Sequence, residues 1–333
     1  MDKKVSSYLS QLKVIATFLV VLVHSGNLLG YATYTNYNPL ISFGNIFATA
    51  GILVFFVVSG YLLFRKEFCW IENLKKKCRT LLVPFFIWNL FWILFEFSGT
   101  ALLPSYFEGN IATGYGDWLI ALFGIPFGKA PFYTPLWFVR DLFLLNLIAP
   151  ILKWIIDRFP VWLTMLILAG IWLIPLPYEI WYFMCQGIVF FTLGGLIARH
   201  KVFLPSNGIV KSISILSLTV LATVACIPGI NMWSYYSRFM LILAMIVICM
   251  APIVFNLKCL EIFVPYSFMI YVLHGKVLSV LQILYARLIP QSDLTIIIGY
   301  LIIPSIIVAL CIVVAYILKR FVPRFYRILM GAR

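Results

Sequence analysis

The sequence predicts an all-α polytopic integral membrane protein, with about ten transmembrane helices and both termini cytoplasmic, forming a single transmembrane domain over residues 1–333. Three observations predict it. The 333 residues are 63% hydrophobic and 11% charged, with a mean hydropathy of +1.04. Charge-free runs at 80–95, 159–178, 180–198, 212–237, 239–257 and 294–318 approach the roughly 20 residues a helix needs to cross the hydrocarbon core. The basic residues gather at the ends of these runs, as orientation by positive charge requires.

Placing the basic clusters in the cytoplasm gives one consistent topology. They are Lys3 and Lys4; Arg65, Lys66, Lys75, Lys76, Lys77 and Arg79; Lys153 and Arg158; Arg199 and Lys201; Lys211; Lys258; and Lys319, Arg320, Arg324, Arg327 and Arg333. With Lys13, 20 of the 25 Lys and Arg then lie on the inner side. The net charge of +14 therefore reads as topology, with some contact to anionic lipid, and no nucleic acid partner is expected. The seven cysteines show no CxxC spacing, so neither a metal site nor a disulfide framework is inferred. A basic start and an apolar stretch open the chain as in a signal peptide, but no small-x-small site follows His24; this segment reads as an uncleaved first span.

The expected spans cover residues 9–31, 46–64, 80–96, 136–154, 161–176, 180–198, 209–227, 239–257, 266–289 and 294–318. Residues 65–79 form the most basic internal loop between the second and third spans. Pro84 falls in the first turns of the third span, where a helix tolerates it. Residues 118–135 are apolar but interrupted by Gly124, Pro126, Gly128, Lys129, Pro131 and Pro135, which suggests an interfacial or re-entrant segment at the outer mouth. No internal repeat or low-complexity run is evident.

The chemistry centres on the first span. Lys13 and His24 are eleven residues apart, which on a helix places them about 20° apart in rotation and about 16 Å apart in depth. Between Val14 and Phe64 His24 is the one histidine, and no Lys, Arg, Asp or Glu accompanies it. An ionisable group at membrane depth costs a few kcal/mol, so it faces protein or a water-filled cavity, and histidine suits proton transfer. Equally, such a histidine can simply bond a neighbouring helix.

Other pieces stand in order along the chain: Phe55, Phe56, Ser59 and Gly60 (FFxxSG); Lys76 and Arg79; Pro135–Phe138 (PLWF); Leu193–Gly195 (LGG); and Ile270, Tyr271, Leu273 and His274 (IYxLH). With Lys13 and His24, this ordered set resembles the membrane-bound acyltransferase family 3 over about residues 8–320. The resemblance implies transfer of an acyl group, often acetyl, from acyl-CoA as co-substrate, with no bound cofactor, to a hydroxyl of a carbohydrate or other cell-envelope acceptor. It also implies a multi-pass protein of a bacterial inner (plasma) membrane. Lys13 and Lys76 stand where the family usually has Arg, which keeps the charge and loses the bidentate fork.

On this reading His24 is the general base. Asp141 orients it and Arg140 meets the oxyanion or the acceptor; as adjacent opposite charges these two also read as a structural pair. Ser59 is a candidate acylated nucleophile, or, with Gly60, a close helix contact. Lys13, Ser59, Lys76 and Arg79 are the donor-binding candidates, Lys76 and Arg79 through phosphate. Phe55, Trp137, Tyr271 and His274 are candidates for the substrate path, His274 being equally a packing histidine. Trp70, Trp118, Trp181, Trp233, Tyr235 and Tyr236 read as interfacial belt, the outer ones being also able to stack on a sugar. A donor docking inside and an acceptor entering from outside, near 30–39 and 118–135, would follow. A transporter of a glycan or lipid-linked intermediate is the alternative, since buried His, Arg and Asp also mark transport paths. The sequence leaves a homo-oligomer open.

Overall fold

The computed structural model describes residues 3–25, 39–102, 115–124, 130–174, 185–201, 207–225, 235–290 and 292–331, and every regular element among them is helical. In chain order the α-helices are α1 (Lys3–Ser25), α2 (Pro39–Phe64), α3 (Trp70–Lys77), α4 (Val83–Leu102), α5 (Tyr115–Phe123), α6 (Trp137–Leu147), α7 (Ala149–Arg158), α8 (Val161–Leu173), α9 (Gln186–Arg199), α10 (Asn207–Ala225), α11 (Tyr235–Phe255), α12 (Ser267–Leu288), α13 (Asp293–Phe321) and α14 (Pro323–Leu329). Among the described residues, six helical stretches are long and apolar enough to cross a membrane: Lys3–Ser25, Leu40–Phe64, Trp70–Gly99, Arg238–Phe255, Lys258–Tyr285 and Asp293–Phe321. This is a polytopic pattern. The contacts divide the chain into two compact units, Met1–Ser59 with His200–Tyr316, and Gly60–Arg199 with Ile317–Arg333.

In the first unit α1 packs against α11, α12 and the tight helical turn Lys258–Tyr266. Its buried stripe includes Leu9, Leu12, Ala16, Val20 and Val21, at the helical spacing that keeps one face turned inward. Polar bonds set the register of its first turns. The Tyr8 hydroxyl donates to the Cys249 carbonyl at 2.7 Å, the Gln11 amide donates to Glu261 at 3.1 Å, and the Ser7 hydroxyl also donates to Glu261. Gly51 lets α2 approach α1, since a Cβ there would lie 2.8 Å from the Leu19 Cβ. The Tyr300 hydroxyl donates to Asn45 at 3.1 Å, beside Gly44.

In the second unit the basic stretch departs from the expected loop. Residues 70–77 are helical, and a π-helical turn, Cys78–Leu82, joins them to α4. Leu, Lys and Glu are good helix formers. The expected fourth span is also two helices, broken at Ile148. Pro150, in the first turn of α7, has no N–H to give the carbonyl four residues before it. That carbonyl belongs to Asn146, and the Trp70 indole N–H bonds it instead, at 3.3 Å. The segment from Trp118 begins inside α5, and its residues 125–129 lie outside the described part, as do 26–38, Trp181 and Trp233.

Candidate functional site

α1 carries His24 in its last turn, and α12, packed against it, carries His274. Their ring centres are 5.1 Å apart with the planes tilted by 42°. Residues 250 positions apart in sequence thus form an imidazole pair. His274 is fully buried, whereas His24 is half-buried. The His274 Nδ1 lies 2.7 Å from the Tyr271 carbonyl and 3.2 Å from the Ile270 carbonyl. Carbonyls only accept, so Nδ1 carries the proton and the Nε2 of the neutral ring holds a lone pair. Among the described residues that Nε2 has no hydrogen-bond partner. The Tyr271 ring stacks obliquely on His274, 6.2 Å away, and Phe268 lies 6.1 Å beyond it. Lys13 is half-buried on the same helix as His24, and its carbonyl accepts the Thr17 hydroxyl at 2.8 Å.

In the second unit α6 carries Arg140 and Asp141, both buried. The Arg140 Nε donates to the Asp141 carboxylate at 2.8 Å and its Nη1 donates to the Gly124 carbonyl at 2.6 Å. The ion pair predicted as one of two readings is therefore formed, and it also holds the end of α5. Asp141 Oδ2 has no partner among the described residues, so one carboxylate oxygen remains able to accept. Asn89, not among the residues the sequence singles out, is fully buried and ties the same place together. Its amide donates to the Ala121 and Leu122 carbonyls at 2.6 and 3.0 Å and accepts the Tyr133 N–H at 2.9 Å. A lone amide in a charge-free apolar run was the available signal, since such groups need partners in hydrocarbon.

The basic element is held as firmly. The Asn73 amide donates to Asn146 on α6 at 3.0 Å, which fixes α3 while Lys75, Lys76 and Arg79 stay exposed. Lys76 and Arg79, three apart, share a face, and neither has an ion pair among the described residues. The π turn that carries Arg79 is a feature often found at functional sites. α14 docks on α4 at the same place: the Trp88 indole donates to the Leu329 carbonyl at 3.2 Å, and Gly331, at φ +68°, rests on Thr80 and Pro84. Two basic stretches distant in sequence thus share one end of this unit.

Gly60, beside Ser59 in α2, lies directly against the Phe191 backbone on α9. Ser59 and Phe55 are half-buried, and Trp137 is buried at the start of α6 with its ring 6.0 Å from Phe138. No group of three or more potential metal ligands occurs among the described residues.

A family model described as an acyltransferase domain, acyltransferase 3, matches residues 6–320. Over 213 residues the chain is 30% identical to the succinoglycan biosynthesis protein ExoH of Rhizobium meliloti (strain 1021), a match covering 61% of this chain and 56% of that protein. The chain therefore spans little more than half the length of this curated relative. No solved structure matches.

Proposed function

The chain belongs to the acyltransferase 3 family, and from that premise we propose that it is a membrane O-acyltransferase moving an acyl group, acetyl in the simplest case, from cytoplasmic acyl-CoA to a hydroxyl of a polysaccharide or related cell-envelope carbohydrate. The observation that carries this reading is His24, half-buried in a membrane-spanning helix and facing a second imidazole. An acceptor hydroxyl needs its proton removed as it attacks a thioester, and a neutral imidazole is suited to take it. The O–H proton passes to His24 as the oxygen bonds the thioester carbon. The C–S bond then breaks, and the coenzyme A thiolate leaves with the proton returned from His24.

The exposed Lys76 and Arg79, carried on an anchored helix and a π turn, suit the donor's phosphates at the inner face. Lys13, at the inner end of the polar stripe of α1, supplies another cation. Arg140, its Nη1 and Nε engaged by Gly124 and Asp141, reads as holding the outer segment in place. Ser59, next to the tight contact at Gly60, is read as part of a packing seam, so transfer is direct. Tyr271 lines the path beside His274.

We read the chain as ten crossings with both termini on the cytoplasmic side of a bacterial inner membrane, and the described helices support its multi-pass part. Besides the six long stretches there are three shorter apolar helices, Val161–Leu173, Gln186–Arg199 and Gly208–Leu221, and the broken pair α6–α7. The relative named for succinoglycan biosynthesis supports a polysaccharide acceptor.

The test is release of coenzyme A thiol by the purified protein, supplied with acetyl-CoA and with or without a polysaccharide acceptor. Acceptor-dependent release that disappears in His24→Ala, with folding intact, is the expected result. General bases contribute about 10²–10⁴-fold, so a variant within tenfold of the parent would overturn the role of His24. Absence of release with any carbohydrate acceptor would overturn the acceptor class.

A further inference from the structure

We propose that His274 is the positioning partner of His24: its Nε2 accepts a hydrogen bond from one nitrogen of His24, so that the other nitrogen presents its lone pair to the acceptor hydroxyl. The proposal rests on the acyltransferase reading above and deepens it.

The first support is the lock on His274. Its Nδ1 is engaged by two carbonyls of its own helix, at 2.7 and 3.2 Å, so the neutral ring has one tautomer, with the lone pair on Nε2. The ring cannot reverse that choice without losing both bonds in a fully buried place, where an unpaired polar group is costly.

Distance is the second support. A ring-centre-to-nitrogen length of about 1.1 Å at each end, added to a bond of about 2.9 Å, gives about 5.1 Å between imidazole centres. The observed separation is 5.1 Å. Among the described residues the Nε2 has no partner, and the proposed bond requires a turn of the His24 ring about its last torsion. That torsion is broad and roughly two-fold for histidine, and among the described residues His24 has no other hydrogen bond or ion pair to hold it back.

Unmet need is the third. A buried nitrogen lone pair is uncommon unless something bonds it. The neighbouring Tyr271 offers its ring and its carbonyl, and the ring fixes the plane of His274. His24 is the second imidazole within reach and the group whose orientation matters for chemistry.

In the reaction, His24 takes the acceptor proton on the presented nitrogen as the new C–O bond forms, while its other N–H stays bonded to His274 Nε2. This bond strengthens as His24 becomes cationic, because hydrogen bonds from charged donors are roughly twice as strong as neutral ones. The proton then goes to the departing thiolate. His274 undergoes no net change, and atoms and charges balance through His24 alone.

The experiment compares His274→Phe, which keeps a ring and loses the acceptor, with His274→Gln, whose amide oxygen can stand in for Nε2. In acceptor-dependent thiol release, His274→Phe should lower kcat about 10²-fold with the KM of either substrate changed less than threefold, and His274→Gln should recover at least tenfold of that loss. A second measurement is independent of turnover: the rate at which diethyl pyrocarbonate modifies His24, read by mass spectrometry on the intact protein. A hydrogen bond donated by His24 makes its other nitrogen more nucleophilic, so modification should slow several-fold in His274→Phe and return in His274→Gln. Equal modification rates in all three proteins would overturn the proposal whether or not turnover is seen. So would a Phe variant with parental kcat, or a Gln variant as slow as Phe. If the parent protein releases no thiol while the modification rates order as expected, the acyltransferase reading fails and the imidazole pairing stands.

Discussion

Replacing Gly60 with alanine tests how α2 and α9 meet, and the size of the effect can be worked from the backbone. A Cβ at Gly60 would collide with the Phe191 carbonyl oxygen, with the carbonyl carbon 2.8 Å and the Cα 3.1 Å away. These are main-chain atoms of a helix, so relief requires moving the helix. Phe191 cannot retreat easily: it is fully buried and its ring stands edge-on to Phe64 at 5.8 Å. Overpacking of this kind costs about 1–3 kcal/mol, against a gain of about 1 kcal/mol from replacing glycine in a helix interior. The net expectation for Gly60→Ala is a loss of up to about 2 kcal/mol, towards the upper end because the clash is with backbone, and for the bulkier Gly60→Val about 3 kcal/mol or more. A kcal/mol corresponds to about 2–4 °C in a chain or unit of 150–250 residues, so Gly60→Ala should melt a few degrees lower in detergent. Gly170→Ala is the control in the same unit, because a Cβ there meets nothing within 4 Å; it should be neutral or stabilising. If Gly60→Ala melts at or above the parent and Gly170→Ala, then the two helices are not in backbone contact and the packing account of the Ser59–Gly60 pair is wrong.

The other predictions concern the donor, the segment around α5 and sidedness. Neutralising Lys76 and Arg79 together should raise the apparent KM for acyl-CoA far more than that for the acceptor, with added salt reproducing part of the effect; an unchanged donor KM would leave both as orientation signals. Asn89→Leu removes a buried amide that makes three hydrogen bonds and leaves the Tyr133 N–H without its acceptor. At about 0.5–1.5 kcal/mol per bond and more for an orphaned donor, it should cost about 2–4 kcal/mol, and an unaltered melting temperature would refute that. In oriented vesicles with a membrane-impermeant acceptor, transfer should require acyl-CoA on the cytoplasmic face and acceptor on the other, because the donor's phosphates do not cross hydrocarbon unaided; efficient transfer with both on the cytoplasmic face would rule this out.

Much of the helical framework was legible because the solvent imposes it. A bilayer requires every backbone group of a crossing segment to be bonded within it, so long apolar runs such as 239–257 and 294–318 announce helices, found at Tyr235–Phe255 and Asp293–Phe321. Local chemistry was legible too: Lys13 and His24 do share one continuous helix, and Arg140 does pair with Asp141. Helix rotation and partner choice were not. Hydropathy is nearly the same around a lipid-embedded helix, so it reports that a segment crosses and says little about which face meets which neighbour. The pairing of His24 with His274 depends on α1 lying against α12, and no spacing within either segment encodes it.

The break in the fourth expected span shows the same limit from the other side. Pro150 is visible in the sequence, but proline inside an apolar run is common in membranes, where a neighbouring group can satisfy the carbonyl it frees. Here that neighbour is the Trp70 indole, some eighty residues earlier, and Asn73 bonds the side chain of the same Asn146. The proline therefore does two things at once. It ends α6 at Ile148, and it leaves an acceptor onto which the basic helix docks. From sequence alone Trp70 reads as an interfacial aromatic and residues 65–79 as a loop. The carbonyl freed by Pro150 and the side chain of Asn146 together hold the helix bearing Lys76 against α6, which keeps its cations in one place.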